Sequence, residues 1–112
     1  MHEMTIAVNI VDIALQTARA ADAQKINTVT VEVGALSGVE PEALEFCFSE
    51  ACRGTAAQNA KLELILIPAK AHCSHCGNTF ETNHFLNLCP QCGQEVIASG
   101  GQELKVKTIN VD

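Results

Sequence analysis

Two pairs of cysteines constrain the fold of this chain more than any other feature. Cys73 and Cys76 form one C-x-x-C pair, Cys89 and Cys92 form another, and twelve residues separate the two pairs. A glycine follows each pair and permits the positive φ that a tight knuckle usually needs. Two facing knuckles supply four thiolates at tetrahedral corners, which is typical of a structural zinc site with no open coordination position. The spacing therefore predicts an architectural zinc ion bound by these four cysteines.

The composition indicates a small globular protein. The 112 residues suffice for one main domain and a metal-stabilised appendage, and the absence of Trp and Tyr predicts an aliphatic core. Thirteen acidic and seven basic residues give a net charge of −6, which weighs against nucleic acid as a partner. We expect no membrane span, no signal peptide and a cytoplasmic location. Cys47 and Cys52, on a predicted helix, are interpreted as reduced thiols without a role.

Hydrophobic periodicity predicts two helices. The first runs from residue 5 to about 22, with Thr5 as its N-cap. The second begins at Pro41, which suits a first turn, and ends before Gly54. The predicted buried stripe of the first helix comprises Met4, Val8, Val11 and Leu15, widened by Ile10 and Ala18. The apolar line of the second comprises Leu44, Phe48 and Ala51, with Phe46 off that line.

Period-two alternation predicts three strands, at 28 to about 36, 61–67 and 103–111. The strand at 61–67 is apolar on both faces and is predicted to be central or covered. The fold class predicted is α+β: two helices packed on a small mixed β-sheet, with an inserted four-cysteine zinc-ribbon-like lobe. Residues 1–68 with 102–112 form the main domain, and residues 69–101 form the lobe. The lobe is expected to interrupt two neighbouring strands of the sheet.

The chain start is a second candidate metal site. A large residue at position 2 should block removal of Met1, so a free α-amine would remain. That amine, the His2 amide and His2 Nδ1 can close chelate rings on one ion, and Glu3 lies within reach of a further position. Such nitrogen-rich donor sets suit Ni(II) and Cu(II) better than Zn(II). On the residues alone, a frayed chain end is the alternative.

Taken together, these residues resemble the HypA/HybF family of nickel metallochaperones, which serve maturation of [NiFe]-hydrogenase and in some organisms of urease. The resemblance covers essentially the whole chain. The matching residues are Met1-His2-Glu3, Met4-Thr5, Gly34, Leu36, Ser37, Val39, Pro41, Glu42, Leu44, Phe46, Phe48, Gly54-Thr55, Ala60, Leu62, Cys73, Cys76, Cys89 and Cys92.

The resemblance implies Ni(II) as transient cargo at Met1, His2 and Glu3, and structural Zn(II) at the four cysteines. It also implies delivery to the hydrogenase large subunit together with a maturation GTPase. A non-enzymatic role is expected, because no nucleophile–base pair, phosphate loop or open catalytic metal site is evident. A homodimer formed by strand exchange stays open. Glu40 is interpreted as complementing a helix dipole, although it could also lie near the nickel end.

Two functions from other classes remain as alternatives. The second cysteine pair resembles a rubredoxin knuckle, so an iron electron-transfer protein is one. A zinc-ribbon nucleic-acid-binding module is the other, although residues 78–88 contain no Lys or Arg. Visible thiolate-to-iron absorption would favour the first alternative, and salt-sensitive DNA binding would favour the second.

Overall fold

The structure is a computed structural model, and it describes residues 3–112. Two helices and seven strands follow one another along these residues. They are α1 (Glu3–Ala20), β1 (Ile26–Gly34), α2 (Pro41–Cys52), β2 (Lys61–Ile67), β3 (Ala69–His72), β4 (Thr79–Thr82), β5 (Leu86–Leu88), β6 (Glu95–Ser99) and β7 (Leu104–Val111). The predicted α+β class is confirmed. Neither helix within this part of the chain is long and apolar enough to cross a membrane.

Helix α1 begins earlier than the sequence indicated, and only part of its predicted stripe is buried. It starts at Glu3, so Thr5 lies inside the helix and is not its N-cap. Met4 and Val8, predicted to be buried, are 43% and 50% exposed. Ile10, Val11 and Ala18 are buried as predicted. The buried face is completed by Ile6, Ala7 and Ala14, which were not predicted. The difference arises because alanine contributes little to an apolar pattern, although its small side chain lets a helix approach its neighbour closely.

Helix α2 matches its prediction closely. Pro41 opens it, Gly54 follows its end with a φ of 74°, and the helix packs against α1. Leu44, Phe48 and Cys52 are its buried residues, whereas Phe46 is 66% exposed. The predicted reduced state of Cys52 is consistent with its free, buried thiol, and burial raises its pKa to about 11.

The first sheet has three strands in the order β2-β1-β7. Strand β1 is therefore central, and Val29, Val31 and Val33 are buried as their alternation predicted. Strands β2 and β7 lie on either side of β1, so the prediction that they are neighbours was wrong. The prediction that β2 is central or covered was also wrong: it is an edge strand, and Leu66 is 62% exposed.

The second sheet has four strands in the order β4-β3-β6-β5, all of them within the cysteine-containing segment. Strand β3 pairs antiparallel with both β4 and β6, and β5 pairs antiparallel with β6. None of these four strands was predicted from the sequence. Ala69, Ala71 and Ala98 carry the alternation, and such small side chains give a weak apolar signal.

The chain divides into two compact units. The first takes the residues up to Glu32, Val39–Ile65 and Lys105–Asp112; the second takes Val33–Gly38 and Leu66–Leu104. Within the second unit, the short segment 34–36 is held by three backbone hydrogen bonds. The amides of Gly34, Ala35 and Leu36 donate to the carbonyls of Glu103, Ile67 and Gly101, respectively. Segment 34–36 is therefore clamped between the two stretches of chain that enter and leave the cysteine-containing sheet.

Candidate metal centres

Each cysteine pair lies at the tip of a two-stranded hairpin. The first knuckle joins β3 to β4 and the second joins β5 to β6, as the registers His72↔Thr79 and Leu88↔Glu95 show. The two knuckles carry the same hydrogen bonds. The Cys73 amide donates to Asn78 O and the Gly77 amide to Cys73 O; the Cys89 amide donates to Gln94 O and the Gly93 amide to Cys89 O.

The glycines that close the knuckles have the backbone conformation that the sequence predicted. Gly77 has a φ of 81° and Gly93 a φ of 79°, in the left-handed region where a Cβ is unfavourable. A glycine at each of these positions lets the chain turn sharply enough to direct two sulfurs of one pair to the same side. The local sequence is thus sufficient to build each half of the site.

The four sulfurs come together at one point. Cys73 Sγ lies 3.5 Å from Cys92 Sγ, Cys76 Sγ lies 3.6 Å from Cys89 Sγ, and all four lie within 4.8 Å of one another. A tetrahedral zinc ion with bonds of about 2.3 Å places its sulfurs roughly 3.8 Å apart. The cluster therefore fits a single tetrahedral ion. Each close sulfur–sulfur contact joins one cysteine from each pair, so such an ion would crosslink the two hairpins.

The pKa values of the four thiols show why the cluster suits a cation. Backbone hydrogen bonds, that of Cys76 foremost, lower the pKa of Cys73. Burial opposes ionisation of Cys89, but the amides of Cys92 and Gln91 outweigh it and lower its pKa to about 6. The pKa of Cys76 is raised, and that of Cys92 is raised to about 12, because burial and neighbouring sulfurs outweigh their backbone hydrogen bonds. Four thiolates cannot coexist at such distances without a positive ion between them.

The cluster is half buried in the small core of its unit. Cys73 and Cys89 are 1% and 3% exposed, whereas Cys76 and Cys92 lie at the surface. The buried cysteines share a core with Ala69, Ala71, Val96 and Ala98, against which Leu36 and Phe80 pack. The side-chain Nδ2 of Asn78 donates to Cys89 Sγ at 3.9 Å, a contact that the sequence did not suggest. The inner cysteines thus serve both as candidate ligands and as core residues.

The other candidate site is described only in part. Met1 and His2 lie outside the described residues, so the predicted amine and imidazole ligands remain predictions. Glu3 is described: it begins α1, and its Oε2 accepts a hydrogen bond of 3.3 Å from the Glu40 amide. Glu40 is the residue before α2, so the starts of the two helices lie side by side at the chain start. The sequence had left the proximity of Glu40 to this end as the less favoured interpretation, and the contact joins residues 37 positions apart.

The histidines near the cysteine pairs are not members of the four-cysteine cluster. His72 lies on β3, where its Nδ1 is 3.1 Å from Thr79 Oγ1, and His75 lies exposed within the first knuckle. His84 lies in the turn before β5, and its amide donates to Thr82 Oγ1. The four-residue cluster found among residues 3–112 contains cysteines alone.

Comparison with known proteins decides the family. Residues 1–111 match the profile described as "Hydrogenase/urease nickel incorporation, metallochaperone, hypA". This chain belongs to the HypA family. Hydrogenase maturation factor HypA of Dechloromonas aromatica is 39% identical over 113 residues and that of Chlorobaculum parvum is 42% identical, with 100% of both chains covered in each comparison.

Solved structures show the same fold. The solution structure of the Ni metallochaperone HypA from Helicobacter pylori matches with a TM-score of 0.66 at 20% identity, over 99% of this chain and 97% of that one. A second solution structure, of "HypA protein", matches with a TM-score of 0.67 at 21% identity, over 99% of this chain and 96% of that one. The resemblance identified from sequence is confirmed, and the family is one of nickel-incorporation metallochaperones in hydrogenase maturation.

Proposed function

We propose that this protein binds Ni(II) at its chain start and delivers it to the large subunit of [NiFe]-hydrogenase. A GTPase of the same maturation pathway assists delivery. The observation that carries the proposal is the match of residues 1–111 to a nickel-incorporation family. The protein acts as a carrier rather than a catalyst: it holds the ion and releases it by ligand exchange. Urease is a second candidate client, because the family description includes it.

The proposed nickel ligands are the Met1 amine, the His2 amide and imidazole, and Glu3. Two five- or six-membered chelate rings formed by adjacent nitrogens suit the planar preference of Ni(II). The structure supports this site through Glu3, whose carboxylate is held by the Glu40 amide at the start of α2. One carboxylate oxygen is thereby engaged, and the backbone at position 3 is fixed as the first residue of α1. A fixed third residue would limit the orientations open to the two residues before it.

The proposed zinc ligands are Cys73, Cys76, Cys89 and Cys92. Their sulfur distances fit a closed tetrahedral shell, which leaves no position for a substrate. Zinc would therefore stay bound while nickel is exchanged. Zinc would stabilise residues 69–101, and nickel would be carried by the domain formed by residues 1–68 with 102–112. Thiols kept as metal ligands rather than disulfides also suit the proposed cytoplasmic location.

The test compares three versions of the protein in nickel titrations followed by calorimetry. The first keeps the native start, the second carries a few extra residues before Met1, and the third carries the same residues after Asp112. Extension at the start blocks the α-amine without changing any side chain, so we expect nickel binding to be lost in the second version alone. His2→Ala should have the same effect, because it removes the imidazole ligand.

Metal analysis of the same samples supplies the control. All versions should hold one zinc per chain and show no thiolate-to-iron absorption, which also separates the proposal from a rubredoxin-like function. Unchanged nickel uptake after extension of the start would disprove the proposed site. Iron in place of zinc would instead support electron transfer.

A further inference from the structure

Asn78 forms hydrogen bonds to three of the four cysteines in the cluster. Its carbonyl accepts a hydrogen bond of 2.8 Å from the Cys73 amide. Its backbone amide donates to the Cys76 sulfur, and its side-chain Nδ2 donates to Cys89 Sγ at 3.9 Å. The first two contacts lie within the first knuckle, whereas the third crosses to the second knuckle. Asn78 therefore links the two hairpins through its own side chain.

The two knuckles share the same backbone hydrogen bonds, so each residue of one has a counterpart in the other. The counterparts are Cys73 and Cys89, Cys76 and Cys92, and Asn78 and Gln94. Each inner sulfur accepts hydrogen bonds from two amides of its own knuckle, and each outer sulfur accepts one, from Asn78 or from Gln94. The same correspondence relates the two close sulfur contacts, of 3.5 Å and 3.6 Å. The backbone thus treats the two halves of the cluster alike.

The side chain of Asn78 breaks this correspondence. Asn78 is half-buried and reaches Cys89 of the other knuckle. Gln94 is exposed, and within residues 3–112 its side chain forms no hydrogen bond, so Cys73 receives no equivalent donor. The cluster therefore has two different sides. We call the contact between Cys76 and Cys89 the bridged side, and the contact between Cys73 and Cys92 the open side.

Cys92 is the cysteine that the surrounding chain holds least. On the open side, Cys73 is 1% exposed, whereas Cys92 lies at the surface. Cys76 lies at the surface as well, but Asn78 ties its sulfur to that of Cys89. Cys92 accepts a single amide hydrogen bond, from Gln94, and none from a side chain of the described residues. An incoming metal-binding group meets the least resistance at such a ligand.

We infer that Asn78 is a positioning residue for the metal-bound cluster: it holds Cys76 and Cys89 in place, so that Cys92 is the first ligand displaced by an incoming donor. The inference rests on the zinc site proposed above. It adds a direction to that site, because exchange of the ion would begin on the open side.

Hydrogen bonds to the sulfurs matter because a cluster of four thiolates around one divalent cation keeps a net negative charge. An N–H group directed at a sulfur offsets part of that charge and fixes the direction of the sulfur. Loss of such an outer contact typically lowers metal affinity roughly 10- to 100-fold. The contact from Asn78 is long and only half-buried, so we expect an effect at the lower end of that range.

The first experiment measures zinc affinity by competition with a chelator of known affinity. Asn78→Ala removes the side-chain donor and keeps the backbone amide, and it should weaken zinc binding about tenfold. Gln94→Ala is the matched control, because it truncates the counterpart side chain, and it should bind zinc as the native protein does. In the cobalt-substituted protein, Asn78→Ala should also move the thiolate-to-cobalt absorption to longer wavelength, since a sulfur without its donor is richer in electrons.

A rescue variant separates the donor from a general effect on the fold. Gln94→Asn places an asparagine at the counterpart position, from which its side chain should reach Cys73. Combined with Asn78→Ala, it should restore most of the lost zinc affinity and move the bridge to the other side of the cluster. A double variant as weak as Asn78→Ala would mean that Asn78 acts only through the fold of its own knuckle, which would overturn the inference.

The second experiment identifies the first ligand to leave. Zinc-loaded protein is treated with iodoacetamide in the presence of the chelator, and tandem mass spectrometry locates the modified cysteine. A displaced thiolate forms a sulfur–carbon bond to the reagent and iodide leaves. The native protein should be modified at Cys92 before Cys76. The order should disappear in Asn78→Ala and reverse in the double variant.

The order of modification in the native protein tests the inference without any substitution. Equal rates at Cys76 and Cys92, or faster reaction at Cys76, would contradict it, as would equal zinc affinities of Asn78→Ala and the native protein. A failure of the zinc site itself has a different signature, because the native protein would then hold no zinc. One zinc per chain together with equal rates at the two outer cysteines would disprove the role of Asn78 alone.

Discussion

Glu40 connects the starts of the two helices through its backbone. Its carbonyl accepts the hydrogen bond from the Leu44 amide that begins α2, and its amide donates to Glu3 Oε2. A donor N–H just ahead of a helix suits a carboxylate, because the helix dipole adds to the attraction. If Glu3 is a nickel ligand as proposed, the Glu40 amide is a positioning group for it.

Replacement of Glu40 by proline tests this role. Glu40 has a φ of −85°, near the range that proline adopts, and Glu40→Pro removes the amide donor together with the side chain. An exposed hydrogen bond of this length stabilises by about 0.5–1 kcal/mol. We therefore expect nickel affinity, measured by calorimetry, to fall roughly two- to fivefold.

Glu40→Ala is the control for that variant, because it removes the carboxylate and keeps the amide. It should bind nickel as the native protein does. A loss in Glu40→Ala as large as that in Glu40→Pro would mean that the Glu40 side chain, and not its amide, acts on the nickel site.

Individual residues differ in how well the sequence alone predicts them. The four cysteines were identifiable because each pair forms its knuckle locally, from a spacing and a following glycine. The proximity of Glu40 to Glu3 was only an alternative interpretation, because it depends on how α1 and α2 pack. Met4 and Val8 were wrongly placed in the core for a related reason. The spacing of bulky apolar residues predicts one stripe of the helix to be buried, whereas the helix packs through a face rich in alanine, which allows a closer approach to its neighbour.

Among the helices and strands, apolar periodicity predicted the element bounds correctly where the side chains are large. The bounds of α2 and β2 follow the pattern of bulky apolar residues, and both were predicted to within a residue or two. Strands β3 to β6 are short and built on small residues, so the same signal failed. The edge position of β2 could not be read from its composition, because strand order depends on pairing between distant segments.

The clamp on segment 34–36 rests on a close backbone approach at Gly34. A Cβ at this position would lie 2.1 Å from Gly101 O, and backbone atoms on that side cannot rotate away. Gly34→Ala should therefore destabilise the protein by about 3 kcal/mol, at the upper end of the usual cost of overpacking. The expected decrease in Tm is roughly 10 °C, measured by calorimetry.

Gly38→Ala gives the comparison for Gly34→Ala. Gly38 has a φ of 79°, and a methyl group added there would meet open space, so alanine should cost only about 1 kcal/mol of backbone strain. Similar Tm values for the two variants would show that close approach at Gly34 does not limit stability.

At the scale of the whole molecule, the two units differ in what holds them together. The first buries large aliphatic and aromatic side chains, including Ile10, Ile26, Leu44 and Phe48. The core cluster of the second consists of three alanines, one valine and two cysteines, with Leu36 and Phe80 beside it, and Val33 is also buried in this unit. So little apolar volume rarely sustains a fold without a metal or a disulfide. The second unit should therefore depend on its ion and the first should not.

Removal of the metal provides the test of that difference. Protons compete with the ion for the thiolates, and Cys89 has a pKa of about 6, so a chelator should strip the site more readily as the pH falls from 7 towards 5. Hydrogen exchange should then show lost protection in β3 to β6, while α1 and α2 stay protected and the helical circular dichroism persists. Cys89→Ser should reproduce this state without a chelator, because it removes a ligand from the buried side of the cluster. Cys47→Ser changes a half-buried thiol of α2 outside the cluster and should leave protection unchanged. If protection in β3 to β6 survives loss of the ion, the small core is sufficient by itself and the cysteine cluster has a role other than holding the second unit together.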